Sequence, residues 1–384
     1  ECLNLDEENT SGYSKEFYSA SEELRKQYKN DEEAKQIIDI ALGLEGLRRQ
    51  DGIHAAAIVI SPDTITKFLP IQQKGSNAEI VTQYEMHTVE QLGLLKMDFL
   101  GLRNLSIVDR TIELIGNKNF DIDNLKLDDE KTFKLFAEGK MTGVFQLESR
   151  VAQSTSRSLK PKRFEDIVAL VALIRPGPLG AGMHNEFADR ANNRKEIEYL
   201  HSDLKSILNE TYGVILYQEQ VMQIAEKIAG FNLQEADNLR VAMGKKIPKV
   251  MEEQRKKFTD GAVSNNYSEQ FAIELFDQIA YFAGYGFNKS HSVPYALLAY
   301  QTAYLKANYP AEYIAASLTA VKRDKDRTAI FLSEARDMGV KVSTPDINLS
   351  SSDFTVNDNE ILFGLSAVRN VGDITADKIV LERE

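Results

Sequence analysis

Apolar positions recur along this chain with two different periods. Between residues 53 and 105 they alternate or run together as in strands. From about 106 to 335 they recur at helical spacing. The run IHAAAIVIS (53–61) is β-branched and apolar and predicts a buried strand. In LLKMDFLGLRNL (94–105) a strand over 94–100 sends Leu95, Met97 and Phe99 to one face and Lys96 and Asp98 to the other. Two readings of that charged face stand side by side. Lys96 and Asp98 form a local ion pair, or Asp98 holds a cation while Lys96 holds an anion. His54 opens the first strand, where a structural and a catalytic role are both open.

Helical spacing predicts a helix over 31–49, ending in Arg48 and Arg49, and another over NLSIVDRTIELI (104–115). In FEDIVALVALIRPGPLGAGM the Pro-Gly-Pro run ends an apolar helix at Arg175. LYQEQVMQIAEKIAGF stops at Gly230. In NLQEADNLRVAMG, Asn232 caps the start, Glu235 follows three residues on, and Gly244 marks the end. Lys245 and Lys246 come next, positioned to complement a helix dipole or to meet an anion. Further on, Asn288 to Ser292 form a polar turn and Pro294 opens a helix whose stripe is Ala296, Leu297, Tyr300, Ala303, Tyr304 and Ala307. That turn reads equally as a capped entry loop and as an anion site. FGLSAVRNVGDITADKIV reads as helix, tight turn at Gly372, helix: the shape of a helix-hairpin-helix. The pattern is α+β, a small sheet followed by a large helical part.

Composition narrows this little. The 384 residues suit roughly two to three domains. One cysteine, Cys2, excludes an internal disulfide and points to a reducing, cytoplasmic setting. No apolar run approaches the ~20 residues that cross a bilayer, so no membrane partner is expected. The first residue is Glu1 and the last lie in an apparent helix, as in a piece of a longer protein. Net charge is −12, yet residues 240–257 hold seven Lys/Arg against Glu252 and Glu253, so a local positive surface or a solvated helix face is available. No zinc spacing, GxSxG or P-loop is present.

Eight ordered stretches carry a resemblance: GIHAAAIVIS, LLKMDFLGLRNL, GVFQLES, LIRPGPL, YGVILYQEQVMQIA, ADNLRVAMGKK, GYGFNKSHSVPYALLAYQTAYLK and FGLSAVRNVGD. Together they span nearly everything after residue 45, and the chain resembles the C family of bacterial replicative DNA polymerases, the polymerase III alpha subunits. The resemblance implies template-directed transfer of a deoxynucleotide to a primer 3′-hydroxyl. It makes 1–50 the end of a thumb, 51–105 the C-terminal part of a palm, 106–335 the fingers, and 336–384 a linker and the start of a helix-hairpin-helix region. Asp98 then matches the third catalytic carboxylate and a metal ligand of a two-Mg2+ site. Lys96, Arg240, Lys245 and Lys246 match ligands of the incoming triphosphate. His54, Arg175, Lys289, Ser290 and His291 match DNA or nucleotide contacts. Implied partners are primer-template DNA, deoxynucleoside triphosphates, and the sliding clamp and other replisome subunits through regions outside this chain.

The chain departs from the family in places. It lacks the PDFDxDF-type motif that carries the other two aspartates, and the glycine- and serine-rich palm loop. Val241 stands where a second arginine is usual, and the segment after GVFQL is richer in Ser and Thr. One carboxylate does not make a two-metal site, so isolated residues 1–384 are expected to be inactive. A DNA-binding module without chemistry is the alternative reading.

Overall fold

The computed structural model describes residues 24, 26–44, 47, 51–73, 75, 79–99, 101–245, 248–283 and 286–383. They fall into two compact units that divide between Arg103 and Asn104.

In the first unit, strand β1 (Ala57–Ile60) pairs antiparallel with β4 (Leu95–Asp98), and β2 (Ile71–Gln73) with β3 (Ile80–Thr82). The helix Glu32–Leu44 precedes them, ending earlier than the predicted 49; Arg48 and Arg49 lie outside the described residues. A short helix, Met86–Gln91, leads into β4, with the Glu85 carboxylate accepting from the His87 and Thr88 amides at its start. Leu69, Val89 and Leu94 form a small core, joined by Val59, Ile65 and Ile71.

The predicted alternation in β4 is present, but the covered face is the opposite one. Cross-strand partners Val59 and Lys96 share the face that meets this core. The apolar pairs Ile58–Met97 and Ile60–Leu95 face outward, each side 40–55% exposed. The buried strand predicted for 53–61 is therefore a four-residue strand with one bare apolar face. Period alone tells which residues share a face, not what covers it.

The second unit is mostly helical. Helix Phe164–Leu173 is apolar from Ile167 onward and is buried there almost throughout, against helix Lys289–Asn308 on one side. Its one buried carboxylate, Asp166, accepts from the Lys162 amide, from the amide and Nε of Arg163, and from the Tyr212 hydroxyl. A second core joins helices Gln218–Ala229, Leu233–Lys245, Pro248–Ser264 and Glu269–Ala283 through Ile224, Ile228, Leu239, Phe258, Leu275 and Phe276. Gly261 lets two of these helices touch. A Cβ there would sit 2.2 Å from the Ala229 carbonyl oxygen. A third core packs helices Pro310–Val321 and Lys325–Asp337 on the β5–β6 hairpin (Thr355–Asn357, Glu360–Leu362).

Local signals located most helix ends. Gly230 is left-handed (φ 67°) and closes helix Gln218–Ala229. Asn232 Oδ1 accepts from the Glu235 amide while the Glu235 carboxylate accepts from the Asn232 amide, a reciprocal cap. Four details differ. Leu233–Lys245 runs through Gly244. The Pro-Gly-Pro run ends one helix at Leu173 and starts a five-residue one with Pro176 first. Helix Lys289–Asn308 begins five residues before Pro294, because the Asn288 side chain caps it by accepting from the His291 amide. In the predicted helical hairpin, the first helix is only a 3-10 turn (Leu365–Ala367), followed by a full helix Asp373–Arg383.

Candidate functional site

The β1–β4 register sets Ala57 opposite Asp98. Lys96 is almost covered, with 16% of its side chain exposed, whereas the Asp98 side chain is 51% exposed. Lys96 Nζ donates to both carboxylate oxygens of Asp98, at 2.7 and 2.9 Å. This bond, foremost, holds the Asp98 carboxyl below the usual carboxylate range; loss of solvation opposes it, and the charge of Lys96 assists. His54 Nδ1 lies 3.9 Å from Asp98 Oδ1, too far for a hydrogen bond. That nitrogen already accepts from the amides of Ala56 (3.2 Å) and Ala57 (3.0 Å), so the proton of a neutral ring sits on Nε2. His54 is thus a brace for the strand entry beside Asp98. Among the described residues no three His, Cys, Asp or Glu side chains cluster in a way that could hold a metal ion. Asp98, with both oxygens engaged by Lys96, does not make a divalent-cation site on its own.

In the second unit Arg175 and His291 meet Phe287, and Lys289 and Ser290 follow it closely in the chain. A two-way bond fixes that residue: the Phe287 amide donates to Leu216 and its carbonyl accepts from the Gln218 amide. The Arg175 guanidinium lies 4.1 Å over the Phe287 ring, and burial pushes its pKa down. The His291 ring is 5.5 Å from Phe287 and 4.2 Å from Tyr295. Ser290 and His291 are exposed on the first turn of helix Lys289–Asn308. This is the turn whose sequence reads equally as a capped entry loop and as an anion site. The protein's own carboxylates already sit there. Glu219 accepts from the Lys289 amide at 3.0 Å, and Glu210 accepts from Lys289 Nζ at 2.7 and 2.8 Å. Both partners lie 70 or more residues away in sequence, and no local pattern announced them.

Arg240 lies on helix Leu233–Lys245, one third exposed, with Nε and Nη2 each 2.8 Å from Asp237 Oδ1. Its neighbour Val241 is partly exposed. Lys245 is the last residue of that helix rather than the first beyond it, and Lys246 lies outside the described residues.

Residues 104–266 match the bacterial DNA polymerase III alpha subunit finger domain, and residues 4–101 match the bacterial DNA polymerase III alpha NTPase domain. DNA polymerase III subunit alpha of Thermus aquaticus is 47% identical over 371 residues, covering 94% of this chain and 30% of that protein. The same-named protein of Escherichia coli K12 is 45% identical over 379 residues, covering 95% and 33%. The chain belongs to the bacterial DNA polymerase III alpha family. It spans about a third of the length of the curated relatives it matches.

In this chain the two family regions meet just after β4, where the two compact units also divide. A helix-hairpin-helix motif matches residues 339–384, the stretch holding the β5–β6 hairpin and helix Asp373–Arg383. The start of that helix is tied to the rest of the unit. Lys322 Nζ bonds Asp353 and Asp373 at 2.6 Å each, and Arg323 adds a second bond to Asp373. Among the described residues no helix is long and apolar enough to cross a membrane.

Proposed function

We propose that this chain supplies a palm strand and the fingers of a template-directed DNA polymerase. The intact subunit joins a deoxynucleotide to a primer 3′-hydroxyl, with the 3′ oxygen attacking the α-phosphorus and pyrophosphate leaving. The observation that carries the proposal is the Lys96–Asp98 clamp on a half-exposed strand end. It juxtaposes a carboxylate held ionised with an ammonium that has little other company. In the nucleotide-bound enzyme Asp98 is one anionic ligand beside the reacting phosphorus. Lys96, released from it, offsets charge on the triphosphate. Such enzymes use magnesium held by several carboxylates. Asp98 is one of that set here, and the rest belong to polymerase outside these residues.

The fingers contacts are proposed for Arg175, Arg240, Lys245, Lys246, Lys289, Ser290 and His291, with His54 bracing the palm strand. Primer-template DNA and deoxynucleoside triphosphates are the ligands of this chain. The clamp and the other replisome subunits bind elsewhere on the full protein. The test is single-turnover primer extension by the complete subunit carrying Asp98→Asn. A wild-type rate would refute the catalytic assignment and leave the reading of a DNA-binding module.

A further inference from the structure

We infer that helix Arg150–Leu159 and the turn after it present a further DNA-binding face, fitted to the phosphate backbone of a duplex. The inference rests on the polymerase reading for the kind of ligand, and on charge and geometry for the place. Residues 149–163 read SRVAQSTSRSLKPKR, five basic residues and no acidic one, in a chain whose net charge is −12. Arg150, Ser154 and Arg157 recur at i, i+4 and i+7, so they share one stripe of the helix, and all three are exposed. Lys160 and Lys162, also exposed, follow the helix end. The opposite side, Ala152, Thr155, Ser156 and Leu159, is buried, and Ser156 Oγ donates to the Phe136 carbonyl at 2.8 Å. The core behind the helix thus holds the cationic stripe outward.

Helix stability does not explain these cations. Arg150 is the first helical residue, where the macrodipole is positive and a cation is unfavourable. At the other end the carbonyls are already satisfied. Asn192 Nδ2 donates to those of Ser158 and Leu159 at 3.2 and 2.7 Å, and Arg194 adds a bond to that of Ser158. Several exposed cations of this unit are held by carboxylates, as in Arg194–Asp189, Arg255–Asp277 and Lys257–Glu235. Among the described residues Arg150, Arg157, Lys160 and Lys162 have no such partner, and Glu148, the acid nearest Arg150 in sequence, is taken by Arg327. Like charges left unpaired so close together repel, and a polyanion relieves that repulsion. Arginine, lysine and serine are all donors to phosphate oxygens. No aromatic residue lies in 149–163, so bases have nothing there to stack on, and the face meets backbone charge alone, as in sequence-independent duplex binding. None of these residues is among the contacts proposed above.

The test is fluorescence anisotropy with the full 384-residue chain, titrated against a short blunt duplex and against an oligothymidine of equal length over a series of salt concentrations. Arg150→Gln with Arg157→Gln should lower the duplex log–log salt slope by about 1.8, two phosphate contacts, so its fold-loss in affinity is roughly tenfold larger at 50 mM than at 200 mM salt. Lys160→Gln with Lys162→Gln, beyond the helix end, should lower the slope independently. Arg150→Lys with Arg157→Lys keeps both charges and should keep the duplex slope. All three variants should melt as wild type does, since the replaced side chains are exposed. No duplex binding by wild type, an unchanged duplex slope in the Gln variants, a larger change with oligothymidine than with duplex, or a Lys variant that falls as the Gln one does overturns the inference. Asp98 takes no part in this binding and its role is read from extension by the complete subunit, so the two ideas fail separately.

Discussion

Lys96 Nζ spans both oxygens of Asp98, at 2.7 and 2.9 Å, from a strand residue two positions away. The clamp is the resting partner of the carboxylate, so Asp98→Asn tests structure against chemistry. Asparagine keeps one oxygen to accept from Lys96, and Asp98 is half-exposed, so the melting temperature should barely move. Turnover of the complete subunit should fall by at least about two orders of magnitude, each factor of ten being roughly 1.4 kcal/mol of transition-state stabilisation. Its depressed pKa fixes the pH dependence. The carboxylate's stabilising contribution is complete above its unfolded pKa of about 3.9 and is lost as pH falls through the lower folded value. Extension should therefore show no step from Asp98 above about pH 5. A large melting loss with normal turnover would reverse the assignment.

Glu210 competes with phosphate for Lys289. Its two oxygens sit 2.7 and 2.8 Å from Nζ, and both side chains are about one third exposed. An ion pair so placed is exchangeable at little cost. Glu210→Gln should therefore tighten binding of primer-template DNA and steepen the log–log salt slope by roughly 0.7 to 0.9, one phosphate contact. Lys289→Gln should weaken binding. Identical affinities and slopes across wild type and both variants would confine Lys289 to a structural role.

What the sequence made legible follows from the range of each interaction. The Asn232–Glu235 cap and the Gly230 stop depend on residues a few positions apart, and both stand as read. The alternation at Lys96 and Asp98 was readable for the same reason. Which face is covered was not, since Val59 reaches β4 only through pairing across the sheet. Lys289 and Glu210 are 79 residues apart, and nothing in NKSHS signals a carboxylate partner. The left-handed Asn370 and the short turn before it leave no room for the first helix that FGLSAVRN suggested.

Lys306 shows the same limit inside the helix that carries His291. It is outside the apolar stripe read from the sequence, yet its side chain is fully buried. Nζ donates to the carbonyls of Lys140 (2.7 Å) and Thr142 (2.8 Å) and meets Glu334 at 2.6 Å. Lys306→Met should lower stability by about 3 to 5 kcal/mol, because Glu334, only 12% exposed, loses its counter-charge and two carbonyls lose a donor. Glu334→Gln keeps an acceptor and should lower it by less. Denaturant melts of both variants check the order; equal losses would contradict it.

The bare apolar face of β1 and β4 has a consequence for the isolated chain. Ile58, Ile60, Leu95 and Met97 make two adjacent cross-strand pairs that water reaches. The chain should bind a hydrophobic dye there without being unfolded. Replacing Leu95 and Met97 together by Gln should reduce dye binding and leave stability within about 0.5 kcal/mol per site, the usual range for exposed positions. A cooperative loss of folding in that double variant would show that the face is packed in solution.

The last prediction concerns activity of residues 1–384 alone. Nucleotidyl transfer with two divalent ions needs several anionic oxygens to hold them, since each ion takes about six ligands. Among the described residues Asp98 is not joined by two further carboxylates, histidines or cysteines, and both its oxygens are bound to Lys96. Adding magnesium must therefore pull Asp98 from Lys96 with a single negative ligand in return, an exchange with no evident driving force. The chain should bind primer-template DNA through its fingers unit, with strong salt dependence, yet fail to lengthen the primer when given magnesium and all four deoxynucleoside triphosphates. Lys245→Glu with Lys246→Glu should weaken that binding on any sequence alike, as phosphate contacts do. A gel showing template-dependent extension by this chain would mean that the ligand set is complete within it, and that Asp98 is not the lone carboxylate of the site.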